Sequence, residues 1–304
     1  MEEIKPAFKV NNVSICFSAN DKYVPLLAVT ISSIIENSKP ENNYDIVILM
    51  TSISDENQVK LRTLIAAKPN FSIRFVNVGP YVFGYSFYTE SDPTNTKFSD
   101  EIYYRVLVPA IMPEYDYVIF LDADLVVLDD IANILDYDYS ESLVGAVRDY
   151  EGIASCYTNN YEKTKYRISE LGIKNFDNYF LSAVIVMNIK KFNEKFAVKD
   201  LLNLAVSKNW KQFDQDLFNY LCQDETTIID AAWDYMEDIY GTYQSLPKKL
   251  FDEFLKSEKH PKIIHYSGGR KPWIKTDSKH NKPFWEFAAK TPFEADLKAL
   301  VNDD

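Results

Sequence analysis

Two aspartates, Asp122 and Asp124, stand between apolar runs in YDYVIFLDADLVVLDD. On a regular strand, residues i and i+2 face the same side. The two carboxylates then repel, unless one is protonated or a cation lies between them. Oxygen ligands favour a hard ion such as Mg or Mn over a thiolate metal. The alternative is a strand-ending turn in which each aspartate caps backbone, and spacing alone leaves both open. Asp129 and Asp130 fit the cap of a helix starting at Ile131.

Of the three histidines, His265 in KIIHYSGGRKPW is the best third ligand. It follows an apolar pair as the chain leaves a strand for a glycine turn, where a neutral imidazole can complete a hard-metal site. A satisfied core histidine is the competing reading. His260 and His280 lie in polar surroundings and are expected to be exposed. Gly268, Gly269, Arg270 and Lys271 form a turn whose amides and cations can hold phosphate. Such glycine-basic turns are also common in surface loops. Beside a metal, Lys271 could stabilise the charge on a departing diphosphate.

Asp214, Gln215 and Asp216 precede the apolar stretch LFNYLC, and one of them is expected to cap its helix. Arg105, in the apolar YYRVLVP, reads as a buried counter-ion for a carboxylate. In FSANDKY, Ser18 and Asn20 offer small and polar groups for a nucleoside, with Tyr23 as a stacking surface. No nucleophile elbow, Walker-type loop or dinucleotide fingerprint is present.

These residues need a scaffold, and the flanking pattern supplies one. VSICFSA, YDIVILM, FSIRFVNV and YVIFLD read as buried strands, while PLLAVTISSIIENS and SDENQVKLRTLIAA read as helices. The alternation argues for parallel strands with helical crossovers. Residues 79–100 read as a long loop or irregular helix, and DEIYYRVLVPAIM as helical. SLVGAVR, AVIVMNI, TTIID and KIIHY are further strands, and FDQDLFNYLC a helix. The polar, tyrosine-rich stretch from Tyr150 to Gly172 is a poor candidate for core. The last residues suggest one or two helices packed on the body by Trp285, Phe287 and Phe293.

Composition narrows the partners. The chain has 304 residues with 46% hydrophobic side chains, enough for a sizeable core rather than disorder. A formal net charge of -12 argues against nucleic acid or an anionic membrane as a general partner. Cys16, Cys156 and Cys222 show neither metal spacing nor a disulfide framework. MEEIKPAFKVNN does not read as a signal peptide, and no run approaches the roughly 18 apolar residues of a membrane span. A reducing cytoplasm is the expected location.

The order FSANDKY, YYRVLVP, FLDADLVVLDD, FDQDLFN and HYSGGRKPW resembles glycosyltransferase family 8, from about residue 13 to residue 273. The DxD pair alone is weak; DxD followed at long range by His-x-x-Gly and Lys-Pro-Trp is far more specific. The resemblance implies a Rossmann-like GT-A fold, with a mixed central sheet flanked by helices in 13–273 and a helical extension in 274–304. It implies transfer of glucose or galactose from a UDP-sugar to a saccharide or glycolipid hydroxyl, with Mn2+ (or Mg2+) and retained anomeric configuration. Asp122 would contact ribose and metal, Asp124 would be the main carboxylate ligand, and His265 would ligate from the other side. Lys271 and Gly268 would hold the diphosphate, and Asn20 and Tyr23 the nucleoside. Arg105, Asp214 and Gln215 would line the donor sugar, with Gln215 near the reacting carbon. A glutamine amide is a poor nucleophile, so front-side displacement is the preferred route to retention.

One stretch departs from the family pattern. In YFLSAVIVMNI, Leu181 stands where the family often has asparagine and Ala183 where it has glycine. A nucleotide-sugar-binding protein with weak transfer is therefore a second reading. A metal-dependent phosphoesterase is a third, without a dense Asp/His set to support it. The C-terminal TPFEADLKALVNDD is acidic and does not read as a membrane-binding tail.

Overall fold

The structure, a computed structural model, describes residues 3–89, 99–158, 161–238, 241–268, 271–275 and 279–301. Apolar runs covered on both faces build its main sheet. These strands are β1 (Asn12–Ser18), β2 (Asn43–Met50), β3 (Phe71–Asn77), β4 (Tyr117–Leu121), β6 (Val144–Arg148), β7 (Phe180–Asn188) and β8 (Thr226–Ile228). A smaller sheet is made of β5 (Leu125–Val127), β9 (Tyr235–Met236) and β10 (Ile263–His265). The orders are β3-β2-β1-β4-β7-β6-β8 and β5-β10-β9.

β1 pairs parallel with β2 and β4, and β2 with β3, as the strand–helix alternation predicts. β7 then runs antiparallel to both β4 and β6. All nine of its residues are buried, so its sequence carries no alternation from which direction could be read. The carboxyl ends of β1 and β4 open on one edge, the usual ligand edge of such sheets.

The helix Val24–Asn37, with Pro25 in its first turn, packs across β5. Its polar residues Thr30, Ser33 and Asn37 recur on one face. The Thr30 hydroxyl lies 2.7 and 2.8 Å from the carbonyls of Ala123 and Leu125. Ser33 Oγ accepts from Val127 N–H at 2.9 Å, and Asn37 Nδ2 donates to Val127 O at 2.9 Å. Side chains thus satisfy backbone groups of a strand that, among the described residues, no other strand covers on this side.

Several expectations change. The stretch after Tyr150 forms two helices, Tyr150–Tyr157 and Tyr161–Ser169, which bury Ile153, Ala154 and Arg167. Asp100–Leu107 is a 3-10 helix and only Val108–Ile111 is α-helical. His280 is half-buried, edge-on to Tyr235 with ring centroids 5.2 Å apart. Asp130 does cap Ile131–Asp136, accepting from Ala132 N–H. Near the C-terminus, the helices Asn281–Ala288 and Glu294–Lys298 bury Phe284, Phe287, Phe293 and Leu297 and contact Val24–Asn37. No helix among the described residues is long and apolar enough to cross a membrane.

Candidate functional site

Asp122 follows β4 directly, donating its N–H to Ala183 O at 2.9 Å, and the chain bends through Ala123 and Asp124 into β5. The aspartates therefore sit on a bend at the strand end, their carboxylates paired with Arg105 and Lys271 where one reading had each of them cap backbone. Their side chains nonetheless meet His265, as the other reading held: one ligand atom from each of Asp122, Asp124 and His265 lies within 4.8 Å of the others. The bend and the cluster are one feature.

Strand pairing brings His265 there. β10 runs antiparallel to β5 with His265 opposite Leu125, and Tyr266 N–H extends the ladder to Asp124 O at 3.1 Å. His265 Nε2 is 3.8 Å from Asp124 Oδ1, while Nδ1 is 3.0 Å from Asp234 Oδ1. Burial alone would lower the pKa of this imidazole. The adjoining Asp234 carboxylate, together with Asp124 and Asp122, outweighs it and pushes the pKa up to about 9.

After β10, Gly268 adopts φ +77°, a left-handed conformation suited to glycine. Gly269 and Arg270 lie outside the described residues. Lys271 Nζ reaches Asp124 Oδ2 at 2.7 Å. Burial works to raise the Asp124 pKa, but Lys271 and then His265 hold it below the usual carboxylate range. Tyr23, just ahead of Val24–Asn37, borders the same group. Burial raises the pKa of its phenol, which also feels the charges of Lys271, Asp124 and Asp122.

Two carboxylates and an imidazole suit a divalent ion of the Mn or Mg type better than a soft metal. Ligand atoms about 2.0–2.2 Å from a common ion are no more than ~4.4 Å apart. The 4.8 Å cluster is a few tenths of an ångström from that arrangement. The residues fit such an ion, and a cation, Lys271, already occupies one Asp124 oxygen.

A second cluster adjoins the first through Arg105, whose side chain is 2% exposed. Its guanidinium pairs with Asp122 Oδ1 at 2.7 Å and Asp214 Oδ2 at 3.0 Å, donates to Ser182 O, and stacks 4.4 Å from the Phe120 ring centroid. Asp214 is pushed up to about 6, chiefly by burial and against the pull of Arg105. None of Asp214, Gln215 and Asp216 is the N-cap of Phe213–Cys222; that position is Gln212. Asp216 instead accepts from Gln212 N–H, Tyr166 Oη and Tyr179 Oη. Phe213 has φ +50°, strained for a bulky residue and placed immediately before Asp214.

The structure joins Asp122, Asp124, His265, Lys271 and Tyr23 in one group, and Arg105 with Asp214 in the next. Gln215 is one step further out, its Nε2 donating to Asp149 Oδ2 at 2.9 Å. Asn20 turns toward Glu101, donating at 3.2 Å, and Ser18 ends β1 at the same carboxyl edge. Asp234, Asp149 and Glu101 were missed from sequence. Asp149 also accepts from Gly152 N–H at the start of its helix, and its pattern is that of an ordinary N-cap. Asp234 and Glu101 stand in DAAWDYMED and SDEIYY, where no spacing distinguishes them from neighbouring acids.

The sequence profile of Glycosyl transferase family 8 matches residues 14–277. The lipopolysaccharide 1,2-glucosyltransferase of Escherichia coli is 24% identical over 271 residues, 86% of this chain and 73% of that protein. The apo structure of the bifunctional glycosyltransferase WbbM superposes with a TM-score of 0.86 at 29% identity, over 98% of this chain; the chain spans 53% of WbbM. The galactosyltransferase LgtC, solved with donor and acceptor sugar analogs, has the same fold, with a TM-score of 0.72 at 22% identity over 92% of this chain and 96% of that one. The mixed sheet flanked by helices is thus the GT-A architecture, and the chain belongs to glycosyl transferase family 8, as a UDP-sugar-dependent glycosyltransferase.

Proposed function

We propose that this protein transfers glucose or galactose from its UDP-sugar to a saccharide or glycolipid hydroxyl, in the cytoplasm, with retention at the anomeric carbon. The observation that carries this reading is the convergence of Asp122, Asp124 and His265 beside Lys271. Mn2+, or Mg2+, held by those three residues would supply Lewis-acid neutralisation of the leaving diphosphate. Lys271 moves from Asp124 onto the diphosphate, and Gly268 lets the backbone approach it. Tyr23 stacks on the base, with Asn20 and Ser18 lining the nucleoside edge. Arg105 and Asp214 line the sugar, and Gln215 lies beside the reacting carbon. The catalytic unit is 13–273, with 274–304 as its helical extension.

Retention through a front-side route fits the engaged state of the nearby carboxylates. Asp214 is tied to Arg105, and Asp149 to Gln215 and Gly152, so neither stands free as a nucleophile. The acceptor hydroxyl gives its proton to the leaving diphosphate oxygen as the new bond forms. The resemblance to a lipopolysaccharide glucosyltransferase supports surface polysaccharide or glycolipid synthesis as the setting.

A UDP-sugar panel read by UDP release, with and without Mn2+, tests the proposal. UDP-glucose or UDP-galactose should release UDP in Mn2+ even without acceptor. If no UDP-sugar binds or turns over, the reading fails. Leu181 and Ala183, both buried at the start of β7, favour a second reading as a nucleotide-sugar binder with weak transfer. Binding without turnover across an acceptor screen would support it.

A further inference from the structure

Asp234 has no role in the reading above. It ends the 3-10 turn Ala231–Asp234, and its side chain is 0% exposed. Main-chain pairing fixes it relative to His265, because β9, which begins at the next residue, runs parallel to β10 with Met236 opposite His265. Its Oδ1 lies 3.0 Å from His265 Nδ1, and its Oδ2 has no hydrogen-bond partner among the described residues. A small cavity beside it is lined by Tyr150, Leu181, Tyr235, Tyr243 and Phe254, none of them cationic.

This is a costly way to use a carboxylate for stability alone. A buried charge with one oxygen left unpaired is penalised by desolvation, and a neutral residue of similar size would often cost less. The position makes sense if the charge acts through the imidazole. With Nδ1 engaged by Asp234, the ring cannot turn, and Nε2 is the nitrogen that faces Asp124. A carboxylate behind a ligating histidine fixes its tautomer and strengthens it as a donor.

We propose that Asp234 is a positioning residue for metal binding, holding His265 so that Nε2 completes the group with Asp122 and Asp124. This rests on the metal reading of that group. Among the described residues, Asp234 is the only carboxylate shown within 3.5 Å of Nδ1, so no second acid substitutes for it.

The test is Mn2+ titration of the full chain, followed by the electron paramagnetic resonance signal of free Mn2+, for the wild type, Asp234→Asn and Asp234→Ala. Asp234→Ala should weaken Mn2+ affinity roughly 10- to 100-fold. Asp234→Asn, which can still accept from Nδ1–H but lacks the charge, should fall between it and the wild type. The Tm of each metal-free variant separates this role from a structural one. Positioning predicts a smaller Mn2+-induced rise in Tm over each variant's own metal-free baseline, whereas a purely structural role lowers the baseline and leaves the rise unchanged. If Asp234→Ala does not fold, the Asn variant decides, with several-fold weakening expected. Wild-type affinity in a folded variant would overturn the proposal. If the wild type itself binds no Mn2+, the metal reading fails first and this inference falls with it.

Discussion

Two acidic clusters meet at Asp122, and different cations hold them. On one side Lys271, a flexible chain that follows a glycine turn, rests on Asp124. On the other Arg105, buried in a 3-10 helix, is clamped between Asp122, Asp214 and the Ser182 carbonyl. A lysine is a compact charge on a mobile stem; a guanidinium is a rigid fork with little freedom to leave. On the proposed reading the first cluster exchanges its cation for a metal ion, while the second has its cation built in. Binding chemistry and scaffold chemistry thus occupy adjacent halves of one site.

Substitutions should separate the halves. Asp124→Ala removes a proposed metal ligand worth several kcal/mol of transition-state stabilisation, so UDP release should fall on the order of 10³-fold. Its urea midpoint should move little, because the partly exposed Lys271 can return to solvent. A loss of stability as large as the loss of activity would erase the contrast. Arg105→Met should behave oppositely in urea, costing ~3 kcal/mol or more by leaving the Asp214 carboxyl buried without its counter-ion. A cost below about 1 kcal/mol, the range of exposed pairs, would show that Arg105 is not the scaffold it resembles.

The smallest effect concerns pH. In the metal-free protein His265 is raised from 6.5 to about 9. Its contribution to stability is therefore complete below pH 6.5 and lost as pH rises through about 9. The Tm of metal-free protein should decline over that window, and His265→Gln should flatten the decline. Asp214 also favours the folded state in its protonated form, but its loss ends near pH 6, below this window. A Tm that rises with pH above 6.5 would contradict the assignment.

Much of the binding half was legible in sequence. Strands buried on both faces appear as continuous apolar runs, so β1, β2 and β4 could be placed, and FLDAD with them. The distant HYSGGRKPW was linked to FLDAD by its likeness to a family, since no local periodicity connects them. The scaffold half was harder. In Tyr161–Ser169 the inward-facing residues include Tyr166, whose hydroxyl bonds Asp216, and Arg167, stacked 3.7 Å from the Tyr179 ring centroid. A helix that turns polar side chains inward lacks the apolar stripe by which helices are recognised. β9 is two residues long and has no pattern at all, which left Asp234 unmarked. Thr30 and Ser33 carry no signal in an apolar helix, although the Thr30 hydroxyl bonds Ala123 O beside the aspartates and Ser33 bonds Val127 N–H at the end of β5.

The pairing of β5 with β10 also has a consequence for the order in which the protein is made. Lys271 and Asp124 are 147 residues apart in sequence. Chains emerge N-terminus first, and contacts of high sequence separation form late because the intervening loop must close. β1 to β4 can assemble on the ribosome while Asp122 and Asp124 still have neither imidazole nor ammonium opposite them. The site therefore matures only after residues 263–271 have been made, and a chain arrested before residue 263 carries the aspartates without the strand that completes their group.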